Sequence, residues 1–195
     1  LKHFIECTAK RLERFNHDDI RYMLYPWGPS ERKKLPGFQA LHGLKGAAIC
    51  EAEIVRGIAK GLYLTAPKIS GATADIDTDI AAKTTATLNM LKEHDFVLTH
   101  FNGADEAAHR YDYHGKAEFI SAIDKEFLEK VINNIQEPLR IVICGDHVTS
   151  SVTGKHNKNA VPVVAAQINT AATPVTINNY QDILTFLMRA SDMRG

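Results

Sequence analysis

From Leu41 onward, short apolar runs alternate with longer stretches of helical periodicity, and this alternation most limits the folds open to the chain. An apolar run at 44–50 precedes a predicted helix at 51–60, which stops at Gly61. A short strand is predicted at 62–65, a helix at 79–92, and a strand rich in β-formers at 95–101, DFVLTHF. A long helix is predicted at 116–134, with Phe119, Ile120, Ile123, Phe127, Leu128 and Val131 on one face. Two further apolar strands, 140–144 (RIVIC) and 161–166, read as runs buried on both faces, and a closing helix is predicted at 180–189. Strands alternating with helices predict an α/β domain with a mostly parallel sheet and helices on both faces.

The first forty residues lack this rhythm. Phe4, Ile5, Leu12 and Phe15 suit a short amphipathic helix over 2–15. The segment 25–29 (YPWGP) breaks regular structure, and 32–36 (RKKLP) reads as a basic loop. Two regions are therefore expected, 1–40 and 41–195. The N-terminal Leu1-Lys2-His3-Phe4 has neither a start methionine nor a signal-peptide pattern, and reads as a cut or processed end, or as the start of an excised domain.

The charge is balanced, with 23 Lys plus Arg against 23 Asp plus Glu, so no overall field favours nucleic acid or an acidic membrane surface. No run approaches the length of a membrane span. The three cysteines, Cys7, Cys50 and Cys144, are far apart and form no CxxC pair, which sets a reducing, cytoplasmic compartment as the expectation. Nine histidines in 195 residues is the compositional departure that matters, because imidazole is the commonest metal ligand.

In open α/β sheets ligands gather beyond the carboxyl ends of the strands. Beyond DFVLTHF lie Asp105 and His109, four residues apart, which a helix would place on one face. Beyond RIVIC come Gly145-Asp146-His147, and His156 sits in the polar loop 149–159 ahead of the next strand. Each cluster alone reads as ordinary surface chemistry: a helical Asp–His pair, a turn-capping Asp, a solvated loop histidine. Together they place three-plus-two ligands at one sheet edge, which suits a pair of divalent ions able to clamp a phosphoryl group. Asp/His ligation suits zinc or manganese, whereas magnesium prefers more oxygen.

Residues 42–65 (HGLKGAAICEAEIVRGIAKGLYLT), 70–83 (SGATADIDTDIAAK), 94–109 (HDFVLTHFNGADEAAH) and 145–163 (GDHVTSSVTGKHNKNAVPV) resemble, in order, segments of the archaeal-type 2,3-bisphosphoglycerate-independent phosphoglycerate mutases of the alkaline phosphatase superfamily. The likeness spans roughly residues 21–165. It implies an alkaline-phosphatase-like fold, incomplete here, and two divalent ions (manganese, zinc or magnesium). Asp105, His109 and His156 would hold one ion, and Asp146 and His147 the other. Departures from the family pattern are Asn102 for an acidic residue, Val148 and Ser150 for prolines, and Lys155 for a threonine.

The resemblance further implies interconversion of 3-phosphoglycerate and 2-phosphoglycerate through a phosphoenzyme. The family's nucleophile, a serine or threonine near its N-terminus, has no counterpart before Leu41, and the catalytic residue stays unassigned. The first forty residues instead resemble the return segment from the family's inserted domain. The expected partners are a phosphorylated small molecule and either a missing N-terminal half or a second copy, with no nucleic acid and no membrane. Arg110, Lys33 and Lys34 are candidates to bind substrate anions, although a solvated basic loop is the favoured reading of the two lysines. A phosphatase, phosphonate hydrolase or phosphopentomutase on the same metal frame is an alternative, as is a non-catalytic metal-binding module.

Overall fold

The computed structural model describes residues 1–26, 28, 31, 33–171 and 176–188. They belong to two compact units, Leu1–Lys34 and Leu35–Gly195. In the first unit, helix α1 (Lys2–Leu12) runs into a 3-10 turn (Glu13–Phe15), together covering the predicted amphipathic helix. Thr8 fastens this helix to the following segment, its hydroxyl accepting from the Leu24 amide at 3.2 Å. The predicted break at 25–29 and basic loop at 32–36 include residues 27, 29 and 32, which lie outside the described residues.

The second unit opens with α2 (Phe38–His42) and strand β1 (Gly46–Ile49), all four of whose residues are buried. Helix α3 (Glu53–Gly61) packs Ala59 against Ala48 and Cys50. Helix α4 (Ile80–Leu91) starts at Asp79, whose carboxylate accepts from the Ala82 amide at 2.7 Å as an N-cap. Strand β2 (Phe96–Thr99) pairs with β1 in parallel, from Gly46↔Phe96 to Ile49↔Thr99. The strand predicted at 62–65 shrinks to a single parallel bridge between Ala47 and Thr65 on the other edge of β1. Tyr63 has a left-handed φ of 57° directly after α3, so the chain is still turning and only Thr65 is extended in register.

Helices α5 (Gly103–His109) and α6 (Tyr113–Ala122) follow β2, and α6 continues through a π-helical turn (Ile123–Leu128) into α7 (Glu129–Asn134). Phe119, Ile123, Phe127 and Val131 are spaced by four, which overruns a helical turn of 3.6 residues; the wider π-turn absorbs the drift. Phe119, Phe127 and Val131 form a core with Ile80. The carbonyl of Glu126 in the widened turn accepts from the Thr84 hydroxyl at 2.9 Å. Ile120, predicted on the buried face, is exposed.

The predicted mostly parallel sheet takes a different form. Strand β3 (Leu139–Cys144) pairs antiparallel with β6 (Val163–Ile168), and a separate antiparallel hairpin joins β4 (Val148–Ser150) to β5 (Lys155–Asn157). Parallel pairing needs a long crossover, usually a helix. The connection between β3 and β6 is instead occupied by the β4–β5 hairpin, and the short return route is antiparallel. The RIVIC run is only partly covered, with Ile143 38% and Val164, across the ladder in β6, 57% exposed. Helix α8 (Tyr180–Met188) closes the described chain, and Arg189 of the predicted closing helix lies outside it.

The least expected core residue is Lys83, 1% exposed on α4. Its ammonium donates to the His100 carbonyl at 2.6 Å and lies 4.6 Å from the centre of the Phe101 ring. Burial lowers its pKa to about 8 from 10.5, with Glu51 and Cys50 pulling the other way. Because the folded pKa is depressed, the unfolded chain binds the extra proton between pH 8 and 10.5, and the Lys83 contribution to stability rises with pH across that window. The full span corresponds to something on the order of 3 kcal/mol, at about 1.4 kcal/mol per pKa unit. Burial raises the Cys50 thiol above 9.0, which acts in the opposite sense at the alkaline end. Urea unfolding of wild type and Lys83→Met across this window separates the two: the stability difference is expected to move toward wild type as pH rises, and a pH-independent difference would remove Lys83 as its source.

Candidate metal centre

Three stretches of chain converge on the Asp105 carboxylate. Asp105 and His109 lie one turn apart on α5, and this spacing brings His109 Nε2 to 3.4 Å from Asp105 Oδ2. The β4–β5 hairpin pairs His156 with Thr149 and brings His156 Nε2 to 3.6 Å from Asp105 Oδ1. His147, just before β4, stacks on His156 with ring centres 3.8 Å apart, and its Nδ1 is 4.0 Å from Asp105 Oδ1. On its other side His147 Nε2 is 3.4 Å from Asp146 Oδ2. All five sequence-predicted metal ligands thus share one cluster.

The donor set fits a divalent cation. His109 Nδ1 lies 2.8 Å from the Gly154 carbonyl, which can only accept, so Nδ1 carries the proton and Nε2 presents its lone pair. That lone pair faces His156 Nε2 at 3.1 Å. Ligand atoms about 2.0–2.2 Å from a tetrahedral ion lie roughly 3.3–3.5 Å from one another. Three contacts are near that spacing, His109 Nε2–His156 Nε2 at 3.1 Å, His109 Nε2–Asp105 Oδ2 at 3.4 Å and His156 Nε2–Asp105 Oδ1 at 3.6 Å, so the two imidazoles meet different oxygens of the carboxylate. Asp146 and His147, at 3.4 Å, match one such edge. Asp105, His147 and His156 also bring one ligand atom each within 4.8 Å of one another, so distance alone leaves His147 open to either grouping.

Neighbouring elements hold the ligands in place. Gly154 turns the hairpin with a φ of 62°, a conformation glycine tolerates at little cost. Tyr180 on α8 donates to the carbonyls of Gly145 and Asp146 at 3.1 and 2.9 Å, securing the turn after β3. Lys83 secures the end of β2 through His100. Burial, with Lys83 adding to it, pushes the His100 imidazole below its usual range, while Asp146 and Asp105 pull it back. His100 Nδ1 and Glu51 Oε1 are buried with no hydrogen-bond partner among the described residues. Both follow the carboxyl ends of the parallel strands.

Arg110 turns away from the cluster to form a two-pronged ion pair with Asp75, at 2.6 and 2.7 Å. Its guanidinium holds the Asp75 carboxyl below the usual range. The pair, with Asn102 donating to the Ala74 carbonyl at 3.2 Å, seats the 70–79 loop against the start of α5. Lys33 and Lys34 are exposed at the end of the first unit. Thr149, Gly154 and Lys83 were missed from sequence; alternation from His147 to Thr149, with a glycine before Lys155-His156, is the hairpin signal that could have found the first two.

Gly103 is where the 70–79 loop comes closest: a Cβ there would lie 2.7 Å from the Ile76 amide nitrogen and 2.8 Å from the Asp75 carbonyl carbon. Gly103→Ala is expected to destabilise the protein by about 1–3 kcal/mol through this overlap with backbone. A urea midpoint equal to that of wild type would show that the loop is not seated there.

The sequence profile of the metalloenzyme superfamily matches residues 8–184. The 2,3-bisphosphoglycerate-independent phosphoglycerate mutase of Methanococcus vannielii is 36% identical over 152 residues, covering 77% of this chain and 37% of the relative. The corresponding protein of Methanopyrus kandleri is 32% identical over 155 residues, covering 78% of this chain and 36% of the relative. Among solved structures, the PH0037 protein of Pyrococcus horikoshii superposes with a TM-score of 0.64 at 27% identity, covering 75% of this chain and 42% of that one. The chain therefore spans little more than a third of the length of these curated relatives.

Proposed function

Because the chain belongs to the metalloenzyme superfamily, we propose that it is the metal-binding portion of a phosphomutase that interconverts 3-phosphoglycerate and 2-phosphoglycerate. The observation that carries this reading is the ligand spacing around Asp105, joined to the identity of the relatives. Asp105, His109 and His156 hold one divalent ion, and Asp146 and His147 hold a second. When bound, such a pair neutralises charge on a phosphoryl group and lowers the pKa of an attacking hydroxyl. The nucleophile is assigned to the part of the relatives that this chain does not span. The partly open β3–β6 face supports cover from that part or from a second copy. A cytoplasmic setting goes with this reading; among the described residues no helix is long and apolar enough to cross a membrane.

The two ion sites are unequal in this chain. The first has three protein ligands and an open position, the arrangement of catalytic zinc-type sites. The second has two, and each missing ligand leaves a coordination position to water. Titrating zinc or manganese into metal-free protein is expected to fill one tight site. His109→Ala should abolish that binding and His147→Ala should barely change it. Two tight sites, or loss only with His147→Ala, would overturn the ligand assignment. In a coupled enolase assay with 3-phosphoglycerate and manganese, the chain alone is expected to show no turnover in the ordinary enzymatic range, about 1–1000 per second.

A further inference from the structure

Asp105 and His147 meet at a third side chain that supplies no metal ligand. Thr149 is 4% exposed, two residues beyond His147 and opposite His156 in the hairpin. Its backbone carbonyl accepts from the Lys116 ammonium at 2.8 Å, which fixes its place. Its hydroxyl donates to Asp105 Oδ1, and the same oxygen lies 3.1 Å from His147 Nδ1. An ionised carboxylate can only accept, so the single hydroxyl proton is committed to Asp105. The proton in the contact with His147 then comes from the ring: Nδ1–H donates to Thr149 Oγ1. The neutral imidazole keeps its lone pair on Nε2, the nitrogen 3.4 Å from Asp146 Oδ2.

We infer that Thr149 is a positioning residue that sorts the ligands of the two ions, orienting the Asp105 carboxylate and fixing His147 in the tautomer that faces Asp146. A proton on Nδ1 removes as a ligand the nitrogen nearer to Asp105, and leaves Nε2, the nitrogen that faces Asp146. His109 is set the same way by the Gly154 carbonyl. One imidazole is thus oriented by backbone and the other by a hydroxyl. The meaning of this sorting rests on the two-ion reading; the tautomer itself does not.

The test uses metal-free protein with nitrogen-15-labelled histidine and long-range proton–nitrogen correlation at about pH 8, above the usual imidazole range. The His147 ring, identified by its disappearance in His147→Gln, is expected as the Nδ1–H tautomer in wild type and in Thr149→Ser. In Thr149→Val, which keeps the shape and removes the hydroxyl, the proton is expected to move partly or wholly to Nε2. Zinc affinity at the tight site should fall roughly 10-fold in Thr149→Val, the low end for loss of a partner that orients a ligand, and stay near wild type in Thr149→Ser. The inference is overturned by an Nε2–H tautomer in wild type, by Thr149→Val matching wild type in both measurements, or by Thr149→Ser failing like Thr149→Val. Should Thr149→Val not fold, the wild-type tautomer alone decides. Should wild type bind no zinc, the two-ion reading fails while the tautomer measurement still decides the role of Thr149.

Discussion

The Asp105 carboxylate is the point on which the functional end of the structure depends. Three imidazole nitrogens lie 3.4, 3.6 and 4.0 Å from it, and a buried hydroxyl donates to it. These neighbours come from a helix, a strand and the residue before another strand, so their convergence is a tertiary achievement held against chain entropy. Each approach has its own local cause. Helical spacing delivers His109, cross-strand pairing delivers His156, and the two-residue repeat of an extended chain puts His147 and Thr149 on the same side. The His109 and His156 rings also constrain each other, because with a lone pair on His109 Nε2 the 3.1 Å contact calls for a proton on His156 Nε2 or a cation between the two nitrogens. A cation there would take both lone pairs, which is the physical content of the proposed metal assignment.

The supports named around this point are polar contacts, some buried, as at Lys83 and Thr149, and some exposed, as at Arg110 and Tyr180. Lys83 is an expensive residue to bury, and its ammonium is balanced by a carbonyl, an aromatic face and the Glu51 charge. Its acceptor is the carbonyl of His100, directly after β2, so the cost of burial goes into fixing where the chain leaves the strand for α5. Gly103 and the Arg110–Asp75 pair act on the same turn from outside, laying the 70–79 loop across the helix start. The ligand-bearing helix is only seven residues long, and it would be marginal in isolation. Its position is set by these flanking contacts more than by its own propensity.

The strand–helix rhythm and most element boundaries could be read from the sequence because each depends on local periodicity, and the five candidate ligands, taken from separate motifs, lie in one cluster. The i, i+4 relation of Asp105 and His109 needs nothing beyond the assumption of a helix. What could not be read depends on partners remote in sequence. Apolarity in RIVIC announces a strand, but the direction of pairing was decided by a polar hairpin that interrupts the route to β6. Arg110 suggested an anion site through its charge, and nothing local indicated that Asp75, 35 residues earlier, engages it. Nothing local marked Lys83 for burial, since its place rests on a carbonyl 17 residues away. Thr149 lay in a polar stretch of Thr, Ser and Gly, where the alternation from His147 to Thr149 is a short signal and its partner Asp105 is 44 residues earlier.

The same dependence on remote partners explains why the two halves of the cluster differ in completeness. The Asp105 side is enclosed by α5 and the hairpin, both within the unit, and its carboxylate is 25% exposed. The Asp146 carboxylate is 80% exposed, and its contact with His147 is the one ligand edge on that side. A carboxylate so open keeps most of its water and gains little from a single imidazole, so the pair is poorly preorganised to strip a cation of its hydration. By contrast, the His147 ring is held on one face by His156 and at Nδ1 by Thr149, leaving only Nε2 to face outward. The arrangement therefore presents one nitrogen fixed in direction beside one exposed carboxylate, whose Oδ1 accepts from the His147 amide at 3.0 Å. The Glu51 Oε1 and His100 Nδ1 atoms just beyond β1 and β2 are likewise buried polar groups without a hydrogen-bond partner among the described residues, so the carboxyl ends of the parallel strands hold unmet polar demand beside the cluster.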